Sequence, residues 1–246
     1  MSLALLMMIV FLTPVAFTAC AVKSFWCTLA YGLTTSGGPA GFGILLVITG
    51  FFYAWSQPTG RQRILTFLKA TVSLSLFFLL LAILNERYTK HFLKLERPSH
   101  RFMLNQTGMG SKLDSLYMLD KEARGLYFEK LIRENPERFS EIDNTIRLHW
   151  IEEAGFSFPS GHSFNAFLFA MIIAYAIWYT RSKPQWRRLY FLPFAWAVLV
   201  AVSRVAVGAH TALDVSAGAG LGVVVGALFL RINITRYWLT GKKINK

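Results

Sequence analysis

The chain has 246 residues, 54% hydrophobic and 15% aromatic against 16% charged, with a mean hydropathy of +0.42, which is oilier than a soluble domain of that length. Its net charge of +13 would suit a nucleic-acid partner only if the cations were interleaved with aromatics on one surface, and no stretch has that pattern. An ordinary soluble domain and a nucleic-acid binder are therefore both set aside.

Apolar runs at roughly 3–22, 39–55, 64–84, 163–180, 189–207 and 213–230 each come near the ~20 residues a helix needs to cross a bilayer. The expected fold is all-α, a polytopic membrane protein with six transmembrane helices and a small helical periplasmic cap. The first run lacks the basic leader and small-residue cleavage site of a secretory signal, so it is read as a span. Residues 1–84 then hold helices 1 to 3, 85–161 form the outer segment, and 162–246 hold helices 4 to 6 with a basic tail, all within one integral domain.

Charge placement orients the chain. Residues 85–161 carry twelve Lys and Arg against twelve Asp and Glu, so the basic surplus lies in the loop with Arg61 and Arg63, in "TRSKPQWRR" and in "TRYWLTGKKINK". By the positive-inside rule these are cytoplasmic, which puts both termini inside and both 85–161 and 208–213 outside. Cys20 and Cys27 lie seven apart, a spacing that suggests neither a metal site nor a disulfide. In the outer segment, Ser111 with Asp114 fits a capping box, Pro136 fits a first helical turn and Gly155 a helix end. The plain reading of this segment's charges is a solvated surface. "NQT" at Asn105 matches a glycosylation sequon.

Outside residues 85–161 the only acidic residue is Asp214, and an ionisable group at the mouth of a span usually has a partner or a task. His210 precedes it by four. If the chain is helical from 210 onward the two share a face, and Asp214 fixes the tautomer of an imidazole whose other nitrogen is free to act as nucleophile or general base. A structural His–Asp tie between helices fits equally well. In "FPSGHSF", Ser160 is a natural N-cap and Gly161 admits a ligand to the backbone, so this helix start is an anion site beside His162, a candidate proton donor. A merely capped helix start with an incidental histidine is the alternative. Lys90 and Arg97 lie seven apart, so within one helix they share a face that Pro98 ends. With Arg204 they are candidate clamps for a tetrahedral dianion, whereas Lys94 and Arg101 read as snorkelling cations. All three clusters fall on one side of the membrane.

"KHFLKLERP", "PSGH" and "SRVAVGAHTALD" match K(x6)RP, PSGH and SR(x5)H(x3)D, and on them the chain resembles the type 2 phosphatidic acid phosphatase superfamily. Around the motifs, "LHWIEEAGFSFPSGHSFNAF" and "ARGLYFEKLIREN" are similar to its bacterial membrane members, over about residues 85–225. The resemblance implies a phosphatase of lipid phosphates in the inner membrane, its active site facing the periplasm, with no metal and no other cofactor. It implies that His210 attacks phosphorus and becomes a phosphohistidine, with Asp214 orienting its ring and His162 protonating the leaving oxygen. Lys90, Arg97, Ser160, Gly161 and Arg204 bind the phosphate. The expected partners are a lipid phosphate, such as phosphatidylglycerophosphate, phosphatidic acid or undecaprenyl diphosphate, and the surrounding membrane lipids. Undecaprenyl diphosphate hydrolysis, or lipid A dephosphorylation or phosphotransfer, stands as the alternative main role. An anion carrier is disfavoured because the polar set gathers at one face. The stripe Gly218, Gly222 and Gly226 is expected to pack closely on a neighbouring helix of the same chain.

Overall fold

The computed structural model describes residues 2–12, 25–180 and 188–232. Helix α1 spans Ser2–Leu12, α2 Phe25–Ser36, α3 Pro39–Trp55 and α4 Gly60–Leu84. Short helices follow: α5 Lys90–Leu93, α6 Pro98–Gln106, α7 Leu113–Tyr117, α8 Lys121–Glu134 and α9 Asn144–Glu152. Three long ones close the described chain, α10 Gly161–Thr180, α11 Leu192–Ala206 and α12 Ala212–Arg231. Among the described residues there is no strand.

Four segments are long and apolar enough to cross a membrane: Gly60–Thr89, Gly161–Trp178, Arg188–Ala206 and Ala212–Arg231. These correspond to four of the expected spans. The run at 39–55 is one arm of a pair, Phe25–Ser36 with Gly41–Trp55, bent by 56°, which brings the number to five if the pair is a single span. The break falls in "SGGP", where Gly38 precedes Pro39 at the first position of α3. A side chain on Gly37 would strike Val200 at 2.5 Å. Of the run 3–22, residues 13–22 lie outside the described residues, as do Cys20 and the basic stretches 181–187 and 233–246.

Apolar side chains line the outside as well as the core: Ile44, Val47 and Phe51 on α3 and Ile64, Leu68, Val72, Leu76 and Leu79 on α4 are all exposed. A helix apolar on its outer face as well belongs in lipid. Helix α10 is central, with Ala166, Phe167 and Ala170 packing against α1, α11 and α12 and Phe169, Ile172 and Ile173 against α3 and α4. The glycine stripe sets one of these contacts. A Cβ on Gly218 would lie 2.4 Å from the Ser160 carbonyl oxygen, one on Gly222 2.4 Å from that of Phe164, and one on Gly226 2.8 Å from Met171 Cβ. So α12 touches the backbone of α10 within the same chain.

Residues 98–152 form a layer of short helices whose core, with Met103, Phe128, Leu131, Phe139, Ile146 and Trp150, continues into Cys27 and Ala30 of α2 and into Val207 and Ala209. Asp120 caps α8 by accepting from the Ala123 N–H, and Asp143 caps α9 through Thr145. The expected Ser111–Asp114 box is absent: Lys112 stands at the N-cap of α7 with no side-chain bond.

The first motif departs from its expected helix. After α4 the chain makes a π turn, Asn85–Thr89, and α5 ends at Lys94, whose φ of 48° is left-handed. Arg97 is extended and sits at the N-cap of α6, with Pro98 opening that helix. Lys90 and Arg97 are therefore on separate segments, and Pro98 starts a helix where a stop was expected.

Candidate active site

The PSGH turn begins α10. Ser160 is wholly buried; its hydroxyl oxygen accepts the Ser163 N–H at 3.4 Å and its own N–H donates to the Asp214 carbonyl at 3.0 Å. Ser160 is therefore the cap of α10, and its hydroxyl serves the helix start. Gly161 and His162 line a cavity of about 350 Å³ together with Gly38, Phe42, Phe78, Asn85 and Lys90. The cavity lies between α3, α4 and α10, with apolar walls and a polar end. This is where the structure places Lys90, on the wall of the same cavity as His162.

The second histidine sits differently from its expected place. Helix α12 starts at Ala212 behind a capping box in which the Asp214 N–H donates to Thr211 Oγ1 and the Thr211 N–H to Asp214 Oδ2, so His210 precedes the helix. Its Nδ1 is 3.6 Å from Asp214 Oδ2, beyond hydrogen-bonding reach. Ser157, which sequence reasoning passed over, lies at both groups: its hydroxyl donates to Asp214 Oδ2 at 2.5 Å and is 3.3 Å from His210 Nδ1. His210 Nε2 is 3.2 Å from Arg97 Nη1. The backbone N–H of His210 donates to the Arg204 carbonyl at 3.2 Å, which ties this histidine to the end of α11. Burial and then Arg97 push the His210 ring down to about 3, so it is neutral, as a nucleophilic or basic imidazole must be.

Arg97 and Arg204 come together at a residue the sequence placed on the solvated cap. Glu153, at the C-cap of α9, is ion-paired with Arg97, its Oε2 2.8 Å from Nη1, and with Arg204. Its other oxygen is 3.9 Å from His162 Nδ1. Burial alone would raise the Glu153 carboxyl, but Arg204 and Arg97 overcome it and hold the group well below the carboxylate range. Arg97 also donates to the carbonyls of Gly155 at 3.0 Å and Ala209 at 2.9 Å. Arg204 is fully buried and its Nη1 donates to His149 Nε2 at 3.0 Å. Burial, and next Arg204, lower His149 to about 4. Arg204 Nε has no hydrogen-bond partner.

Behind Arg97 stands a buried polar cluster. Tyr117 accepts the Arg97 backbone N–H at 2.7 Å and is 2.7 Å from His100 Nδ1. Burial raises Tyr117 to about 12 and, with Arg97, lowers His100 to about 3. Arg124 lies over the Tyr117 ring at 4.1 Å and donates to the carbonyls of Leu116, Leu119 and Ala154. Within this cluster Tyr117 and His100 are neutral and Arg124 is the buried charge beside Arg97. Arg101, paired with Glu96, and Lys94 stay exposed.

The site is thus an anion seat, occupied by a carboxylate of the chain itself, set between two arginines and two histidines. Lys90 and Gly161 line an apolar cavity, and Ser160 is buried at the start of α10. The profile of the PAP2 superfamily matches residues 70–238, which include Lys90, Arg97, Glu153, His162, Arg204, His210 and Asp214 but not the cavity's Gly38 and Phe42. Phosphatidylglycerophosphatase B of Escherichia coli strain K12 is 32% identical over 103 residues, which cover 42% of this chain and 37% of that relative. The same figures hold for phosphatidylglycerophosphatase B of Shigella flexneri. Phosphatidylglycerophosphatase B of Bacillus subtilis is 29% identical over 184 residues, 63% of this chain and 90% of that relative.

Proposed function

The chain belongs to the PAP2 superfamily, and on that premise we propose that it is an integral membrane lipid phosphatase acting on a phosphate monoester such as phosphatidylglycerophosphate. The observation that carries this reading is the Glu153 carboxylate held by Arg97 and Arg204, with His162 within 3.9 Å of it and His210 against Arg97. A phosphate replacing that carboxylate meets two guanidiniums, a proton donor and a nucleophile at once. The cavity between α3, α4 and α10 has the apolar walls an acyl chain needs.

In this reading His210 Nε2 attacks phosphorus in line as the lipid oxygen leaves. His162 gives that oxygen its proton, then takes one from the water that opens the phosphohistidine. Arg97 and Arg204, with Lys90 and the Gly161 N–H, spread the charge of the equatorial oxygens, which is most of what a protein supplies to phosphoryl transfer. Ser160 supports the turn from behind. These cations do the work a metal does elsewhere, so the reaction needs none. The proposed topology has six spans with both termini cytoplasmic, and the layer 98–152 covers a periplasmic active site.

The test is phosphate release by purified protein in detergent with EDTA, from phosphatidylglycerophosphate, phosphatidic acid, undecaprenyl diphosphate and a lipid A 1-phosphate. Wild type should be active and His210→Ala inactive though folded. Equal activity of the two, or loss of all activity in EDTA, would overturn the mechanism, and the substrate ranking decides the main role.

A further inference from the structure

Ser157 is wholly buried, and its backbone N–H is fixed to the Leu95 carbonyl at 2.8 Å, so its hydroxyl is held in place from outside α12. The hydrogen-bond inventory around His210 leaves it one arrangement. Arginine only donates, so His210 Nε2, 3.2 Å from Arg97 Nη1, carries the lone pair and Nδ1 carries the proton. That proton needs an acceptor. Asp214 Oδ2 is 3.6 Å away and already accepts from the Thr211 N–H at 2.7 Å and the Ser157 hydroxyl at 2.5 Å. The serine's single proton goes to the carboxylate, a short charge-assisted bond, which leaves its oxygen lone pairs facing Nδ1 at 3.3 Å.

We propose that Ser157 is a positioning residue that relays Asp214 to His210 through the chain Nδ1–H to Ser157 Oγ–H to Asp214 Oδ2, alongside the 3.6 Å histidine–aspartate contact. This rests on the phosphatase reading for its catalytic meaning. The aspartate's charge reaches the ring by polarising the hydroxyl. When Nε2 bonds to phosphorus the ring becomes cationic, both hydrogen bonds strengthen, and no proton changes hands: the ring keeps its N–H and the serine its O–H. The relay holds one tautomer ready and stabilises the charge that forms.

The experiment combines turnover of a lipid phosphate with 15N signals of histidine-labelled, substrate-free protein. Ser157→Ala should lose at least tenfold in kcat with KM within twofold of wild type. Ser157→Thr, which keeps the hydroxyl, should recover most of it, and the isosteric Ser157→Cys should remain slow. In an Asp214→Asn background, adding Ser157→Ala should cost less than threefold more, because the two residues act as one unit. In the labelled protein, His210 should be the Nδ1–H tautomer in wild type and a tautomer mixture in Ser157→Ala and Ser157→Cys. Full kcat in Ser157→Ala, multiplying losses in the double variant, or an unchanged His210 tautomer would each overturn the relay. A wild-type enzyme inactive on every lipid phosphate would instead remove the phosphatase reading, and the tautomer signal would still decide the relay.

Discussion

Replacing Glu153 by Gln removes the charge from the anion seat while keeping a side chain of the same shape. In the free protein that carboxylate is 2.8 Å from Arg97 Nη1 and paired with Arg204, so an incoming phosphate has to displace it. At ~4 Å and an effective dielectric near 20, one such ion pair is about 4 kcal/mol. The Glu153 side chain is 19% exposed, and partial solvation screens part of that energy. A retained difference of about 1.4–2.8 kcal/mol corresponds to ~10- to 100-fold in affinity. Inhibition constants of orthophosphate and orthovanadate, measured in detergent at neutral pH, should therefore fall by that factor in Glu153→Gln. Product phosphate, bound more tightly, should leave more slowly, so kcat should not rise. Inhibition constants within twofold of wild type, or higher, would refute the idea that the carboxylate and the phosphate compete for one seat.

Three further outcomes are expected. Gly218→Ala places a methyl 2.4 Å from the Ser160 carbonyl oxygen, an overpacking worth about 1–3 kcal/mol; the melting temperature in detergent should fall by several degrees, at ~2–4 °C per kcal/mol. Gly220→Ala, with nothing within 4 Å, should not destabilise, and equal losses in the two would refute the packing argument. The unfolded chain binds a proton at an ordinary histidine below about 6.5, while folded His149 refuses one until about 4. Stability should therefore drop as pH falls between those values, and His149→Gln should make the slope of melting temperature against pH shallower. Lys90→Met should lower kcat for a lipid phosphate at least as much as it raises KM, because Lys90, on the wall of the cavity, shares the charge that develops on the equatorial oxygens; a change in KM alone would confine Lys90 to lipid binding.

What the sequence reveals of this site is what is local. The helix start at the PSGH turn reads correctly because an N-cap, a glycine and the next apolar run are contiguous, and the glycine stripe reads correctly because its period matches a helix. The lost parts are those where two local signals compete. His210 to Asp214 looks like one helical turn, yet "HTALD" also holds the Thr211–Asp214 capping box, which starts the helix at Ala212, two residues after His210. Lys90 to Arg97 looks like two turns, yet Lys94 turns left-handed. Glu153 and Ser157 carry no local signal, because their roles depend on how the cap docks. Charge balance was the available clue: buried arginines need a counter-charge, and the outer segment was the main place to find one.

The turn that carries His210 hangs from the cap. Trp150 Nε1 donates to the Val207 carbonyl at 2.7 Å and the Ser99 N–H to that of Gly208 at 2.9 Å, while Gly208 itself takes a φ of 74° that favours glycine. The His210 ring is thus suspended from two brackets in the layer of short helices, one on α6 and one on α9. The cap is therefore not an exchangeable module: a chimera that grafts another lid between the spans, without an indole and an amide at those two points, would carry the histidine out of line even with every motif residue intact.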